Sequence, residues 1–314
     1  MPADGVLNVY KEKGCTSFHV VSELRKITGI RSIGHTGTLD PDAEGVLVLC
    51  IGKATKISGV LTDTDKEYHA EMLLGRRTDT QDISGRVLEE TDLGRPGAAP
   101  DKESLETAVL SFKGEISQIP PMYSALKVGG VKLVDAARRG ENIERRPRKV
   151  TVYDIRNIKY DENSHTAAFD VRCSKGTYIR TLCEDIGKRL GIPACLKSLV
   201  RTKVAGFDIN GSVSLSKIKQ LADEGELSEY IIPTDHVLKE YDYLIVKDGA
   251  LKKLMNGNVL FPGDFRTASS ALPGLPAAAD TPGIFRIYDG GGRFYALYTR
   301  AEGSDVYKCE KMFA

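Results

Sequence analysis

Apolar residues along this chain recur at two spacings. Val6 to Tyr10 is a short apolar run that predicts a strand. Val20, Val21, Leu24 and Ile27 follow at helical spacing, with Thr16 or Ser17 able to cap the helix and Gly29 able to stop it. Val46 to Ile51 is apolar without interruption, which predicts a strand covered on both faces. Lys66 to Gly75 alternates instead, so Tyr68, Ala70, Met72 and Leu74 share one face while Glu67, His69 and Glu71 share the other. Taken alone, Tyr68 is an ordinary core tyrosine. Arg76 to Asp82 reads as a charged loop, Leu105 to Phe112 as a helix, Pro120 to Ala125 as an extended segment, and Gly129-Gly130 as a hairpin turn. Strands are expected over Val150 to Tyr160, Thr166 to Cys173 and Leu196 to Phe207. Between the last two, Ile179, Leu182, Ile186 and Leu190 mark a helix closing at Gly191.

The pattern changes between Tyr230 and Tyr241. Short strands then dominate, at Tyr243 to Lys247, Ile284 to Tyr288, Arg293 to Tyr298 and Val306 to Met312. They are interrupted by a helical piece, Gly249 to Asn256, and by a Gly/Pro/Ala-rich loop from Pro262 to Pro282. The expected organisation is a large α+β domain over residues 1–240 and a small β-rich domain over 241–314.

Composition narrows the function classes. With 314 residues, 41% hydrophobic and 28% charged, the chain is ordinary for a globular protein of one large and one small domain. No window is long and apolar enough to span a membrane, and Met1-Pro2-Ala3-Asp4-Gly5 is no secretion signal, so the cytoplasm is the expected address. Six cysteines without a Cys-x-x-Cys pair argue against zinc and disulfides. The formal net charge of +1 hides a local excess: from Arg138 to Lys203, 16 basic residues face 8 acidic ones, which suggests an anionic partner.

The chemistry-bearing stretch is Gly34-His35-Thr36-Gly37-Thr38-Leu39-Asp40-Pro41. It sets an imidazole, two hydroxyls and a carboxylate between glycines and a proline, in a loop of restricted shape ahead of a buried strand. On its own this is as readily a structural turn. Two decoys fail. Gly52-Lys53 lacks the preceding Gly and following Ser or Thr of a phosphate loop, and Asp40-x-Asp42-x-Glu44-Gly45 lacks the closing Glu of a calcium loop. Arg180, in the first turn of its helix, can snorkel outward or be buried beside a carboxylate, and spacing does not choose.

Three separated stretches together resemble the TruB-type tRNA pseudouridine synthases: Gly34 to Pro41; Asp65-Lys66-x-Tyr68 with Gly75-x-Arg77-Thr78-Asp79-Thr80; and Ser174-Lys175-Gly176-Thr177-Tyr178-Ile179-Arg180. Pro121-Met122-Tyr123-Ser124-Ala125 and Leu199-x-Arg201-Thr202 also match, while Lys11-Glu12 replaces the family's usual Lys-Pro. The C-terminal segment looks like a PUA RNA-binding domain in size and strand pattern. The resemblance implies a catalytic domain with a central mixed, largely antiparallel sheet, and isomerisation of the uridine at position fifty-five of the tRNA T-loop. It implies no nucleotide cofactor and no metal. The partner implied is the tRNA T-arm, with the chain acting as a monomer and needing no obligate protein partner.

By the same resemblance Asp40 is the catalytic carboxylate, Arg180 its charge partner and Tyr68 the aromatic that stacks on the flipped base. His35 fills the vacated position in the RNA, and Leu199 and Tyr178 belong to the base pocket. Lys11 and Arg77 are expected phosphate contacts, and Asp79 orients a basic neighbour or touches RNA. Lys56 and the basic band are further phosphate candidates. The competing readings are a non-catalytic RNA-binding or folding protein, a guide-RNA-dependent relative, and a small-molecule enzyme with an Asp-Arg site.

Overall fold

The computed structural model describes residues 4–266 and 282–314; of the loop expected from Pro262 to Pro282, residues 267–281 lie outside the described residues. The larger unit is built on one mixed sheet. Its strands are β1 (Gly5–Lys11), β2 (Ile33–His35), β3 (Glu44–Ile51) and β4 (Lys66–Leu74). A separate hairpin follows, β5 (Arg76–Thr78) and β6 (Val87–Glu90), then β7 (Gly114–Gln118) at the sheet's far edge and the two-residue strands β8 (Lys127–Val128) and β9 (Val131–Lys132). The long strands β10 (Arg148–Asp161), β11 (Thr166–Cys173) and β12 (Ala194–Val204), with the short β13 (Phe207–Asp208) and β14 (Val213–Ser214), complete the sheet. The order is β14-β1-β3-β12-β4-β11-β10-β7, with β2 beside β3 and β13 beside β12; β1–β14 and β3–β12 are parallel and the other pairs antiparallel.

Local chemistry forms these elements as the spacing predicts. Helix α1 (Ser17–Thr28) is capped by the Thr16 side chain, which accepts from the His19 amide, and ends at Gly29 with φ of 71°. Gly129 and Gly130, both at positive φ, form the two-residue turn between β8 and β9. Every residue of β3 from Gly45 onward is buried, because its two faces meet different cores. Leu47, Leu49 and Ile51 join the main core under α1 and the helix Ile179–Leu190, whereas Val46, Val48 and Cys50 pack on the opposite side with Leu238, Leu297 and Phe313.

Three expectations are corrected. Gly34 and His35 belong to a strand, β2, rather than to the loop, since their backbone pairs with Cys50 and Leu49. Arg76 to Thr78 is likewise a strand, held to β6 by Arg76–Glu90 and Arg77–Glu89 ion pairs across the ladder. The strand expected to run to Phe207 turns back at Ala205-Gly206, both at positive φ. The C-terminal segment forms a four-stranded sheet, β15 (Asp242–Ile245), β16 (Gly283–Tyr288), β17 (Phe294–Arg300) and β18 (Lys308–Met312), around its own core of Phe265, Phe285, Tyr298 and Tyr307. Lys56 is exposed, and its Nζ donates to the Met312 carbonyl, tying this sheet to the larger unit. Among the described residues no helix is long and apolar enough to cross a membrane.

Candidate active site

The loop from Thr36 to Ala43 is held from several sides. The Thr36 amide bonds Val48 O, the Ser17 hydroxyl both accepts from the Leu39 amide and donates to its carbonyl, and Gly14 N donates to Pro41 O. Beneath it lies Lys11, fully buried, whose Nζ donates to the carbonyls of Glu12, Pro41 and Ala43 at 3.1, 3.0 and 2.6 Å. This corrects the expectation of a phosphate contact: Lys11 braces the loop from inside, and its ammonium is out of reach of a ligand. Burial lowers its proton affinity, opposed by nearby acidic groups including Asp40.

Asp40 turns its carboxylate to Arg180, with Nε 2.9 Å from Oδ2. The guanidinium also donates to Thr80 O at 2.9 Å and Tyr123 O at 2.8 Å, and Asp82 Oδ2 lies 3.9 Å away. Arg180 is therefore buried at the first turn of α5 (Ile179–Leu190, numbering after α2 Ser58–Thr62, α3 Lys102–Leu110 and α4 Leu133–Arg138) instead of snorkelling. Its side chain is 6% exposed, against 42% for Asp40. One cation thus gathers the Asp40 loop, the Thr80–Asp82 turn and the Tyr123 segment. Burial pushes the Asp40 carboxyl up from the ordinary carboxylate range, Arg180 and Lys11 pull it down, and Asp82 pushes it up, with burial prevailing.

Asp40, Tyr68, Tyr178, Arg180 and Leu199 line one cavity of about 540 Å³, with Lys149 and Lys175 among its cationic walls. Tyr68 reaches it from β4 and Leu199 from the neighbouring β12. Tyr178 is placed by Gln118, whose side chain accepts from its amide and donates to its carbonyl at 3.0 and 3.2 Å. The remaining predicted residues lie outside this wall. His35, on β2, is half-buried with no hydrogen-bond partner on Nδ1, and burial followed by the charge of Arg201 lowers its proton affinity, so its ring is held neutral. Arg77 and Asp79 belong to a second cavity of about 410 Å³. There Arg77 is paired with Glu89 at 3.0 Å, and Asp79 accepts from the Arg86 amide at 2.9 Å with the Arg86 Nε 3.8 Å away.

Arg201 and Gln118 are the residues that reading the sequence left without a role. Arg201 lies two positions after Leu199 on the same strand face, so a charge at a core-facing position was the available signal. Gln118 carried none.

Residues 25–179 match the family described as TruB family pseudouridylate synthase (N terminal domain), and residues 180–239 match the tRNA pseudouridylate synthase B C-terminal domain. The chain belongs to the TruB family. It is 39% identical to the tRNA pseudouridine synthase B of Limosilactobacillus reuteri over 99% of both chains. It is 44% identical to that of Caldanaerobacter subterraneus subsp. tengcongensis over 91% of this chain and 94% of the relative. It is 43% identical to that of Staphylococcus saprophyticus over 84% and 87% respectively. Among solved structures, a chain of a Cbf5-Nop10-Gar1 complex superposes with a TM-score of 0.70 at 24% identity, covering 99% of this chain and 85% of that one. That likeness concerns the TruB fold: a mixed sheet with a small C-terminal sheet domain.

Proposed function

We propose that this TruB-family chain isomerises a uridine of tRNA to pseudouridine, at position fifty-five in the T-loop. The observation that carries the reading is the Asp40 carboxylate, 2.9 Å from Arg180, in a cavity that also presents Tyr68 and Leu199. The relatives named tRNA pseudouridine synthase B support it. In the reaction the C1′–N1 bond breaks, the base turns, and C1′ joins C5; the proton on C5 leaves and N1 gains one, so nothing is lost or added. Asp40 acts as nucleophile or as proton acceptor at the sugar, and Arg180 orients its carboxylate. Tyr68 stacks on the flipped uracil and Leu199 closes the pocket behind it. Tyr178 borders the base. His35, neutral and flat, occupies the position in the RNA that the uridine leaves. Lys149, Lys175, Arg77 and Arg86 are the phosphate contacts of this reading, with Asp79 holding the Arg86 turn.

The catalytic unit in this reading is residues 1–240, and residues 241–314 form a PUA-like RNA-binding unit. The chain works as a cytoplasmic monomer without guide RNA or a protein partner. Purified chain and an unmodified T-arm transcript test this directly, with pseudouridine as the expected product. Tight binding without product would favour a non-catalytic RNA-binding protein, and product only after guide RNA is added would favour the guided class.

A further inference from the structure

Arg201 is 2% exposed, and among the described residues no carboxylate lies within 4.0 Å of it. A buried guanidinium without a counterion is costly unless its donors are used. Nε donates to Val46 O at 2.8 Å, and the terminal nitrogens face Gly37 O at 3.1 Å and Thr38 O at 3.5 Å. Arg201 and Tyr68 are direct cross-strand partners in the β12–β4 ladder, and both line the cavity that holds Asp40. Directly opposed positions on one face bring side chains together, and the Arg201 charge acts on the Tyr68 hydroxyl. One strand residue thereby holds the loop two and three positions before Asp40 and stands directly opposite the tyrosine of the same cavity.

We infer that Arg201 is a positioning residue that sets the Tyr68 hydroxyl and the Asp40 loop in one fixed relation around the reacting nucleotide. The assignment rests on the proposed reading that Tyr68 and Asp40 serve uridine isomerisation. Around the Tyr68 hydroxyl, the groups on packed elements are Arg201 on β12, Cys173 on β11 and Asp40 on its loop. Burial raises the phenol's proton affinity, and Arg201 is the group that opposes it. Tyr68 is thus held as a neutral hydroxyl beside the guanidinium. A lysine at this position would keep a charge but lose the planar fork whose nitrogens meet the carbonyls of Val46, Gly37 and Thr38.

The test uses the full chain carrying tyrosine labelled with carbon-13 at Cζ, the Tyr68 resonance being assigned by its loss in Tyr68→Phe. In both Arg201→Lys and Arg201→Gln that resonance is expected to move at neutral pH. The rate of pseudouridine formation at saturating tRNA is expected to fall at least tenfold, with tRNA affinity within threefold of wild type. Arg201→Lys is expected to recover part of the rate lost in Arg201→Gln, and to cost little further in a Tyr68→Phe background. An unmoved Tyr68 resonance in a folded variant overturns the assignment, as does a loss that is wholly in affinity. Failure of the functional reading is a separate result, since wild-type protein would then form no pseudouridine while the resonance measurement stands.

Discussion

Arg180 reaches Asp40 with its Nε and spends its two terminal nitrogens on the carbonyls of Thr80 and Tyr123. The carboxylate is therefore held by a cation that is itself held on three sides. Asp40→Asn keeps the size of the side chain and removes the charge that the proposed mechanism uses. Pseudouridine formation is expected to vanish while tRNA affinity stays within about tenfold, roughly 1.4 kcal/mol. Filter binding alongside a product assay checks both; normal turnover by this variant would remove Asp40 from the mechanism.

Burial outweighs Arg180 at Asp40, so its folded-state pKa lies above the ordinary value of about 3.9. With the ionised form as the reactive one in the proposed mechanism, single-turnover rates should fall with acid along a limb centred above that value. The stability sign is the reverse of a paired carboxylate: the native state holds the proton more tightly, and ionisation opposes folding as pH rises through the raised pKa. Asp40→Asn should therefore melt no lower than wild type at pH near 7. An acid limb at or below the ordinary value would contradict the burial argument.

Lys11 contacts backbone carbonyls, so Lys11→Met should act on stability and leave electrostatic binding intact. Leaving buried acceptors unpaired costs about 1–3 kcal/mol, readable as a lower urea midpoint. The dependence of tRNA affinity on salt should keep its slope. Lys149, exposed at the cavity wall, should behave oppositely: Lys149→Met is expected to reduce the logarithmic salt slope by about 0.7–0.9 and leave stability little changed.

Gly45 sits at φ of 99°, and a Cβ there would collide with the Arg201 carbonyl oxygen. The backbone conformation alone costs a side-chain residue about 1–3 kcal/mol, and the contact with a strand carbonyl adds to it. Gly45→Ala should lower the melting temperature sharply and reduce isomerisation with it, because β3 and β12 carry the Asp40 loop between them. A variant that melts like wild type would show that the two strands can part without consequence.

Much of this molecule was legible in its residue pattern. The caps of α1, the alternation of β4, the two-faced burial of β3 and the change to short strands after Tyr241 are written in neighbouring residues, because helix and strand periodicities are local geometry. The Gly34 to Pro41 stretch and its ordered companions likewise declared the family. Other features depend on residues far apart in sequence. Whether Arg180 snorkels or turns inward was decided by Asp40, 140 positions earlier and brought beside it by the sheet. Lys11 reads as a surface cation until the loop closes over it, and Arg201 reads as one more basic residue until the β12–β4 register sets it against Tyr68. Spacing along the chain determines which face a side chain takes. What meets it there is decided by strand order and register, through the cost of burying a charge without partners.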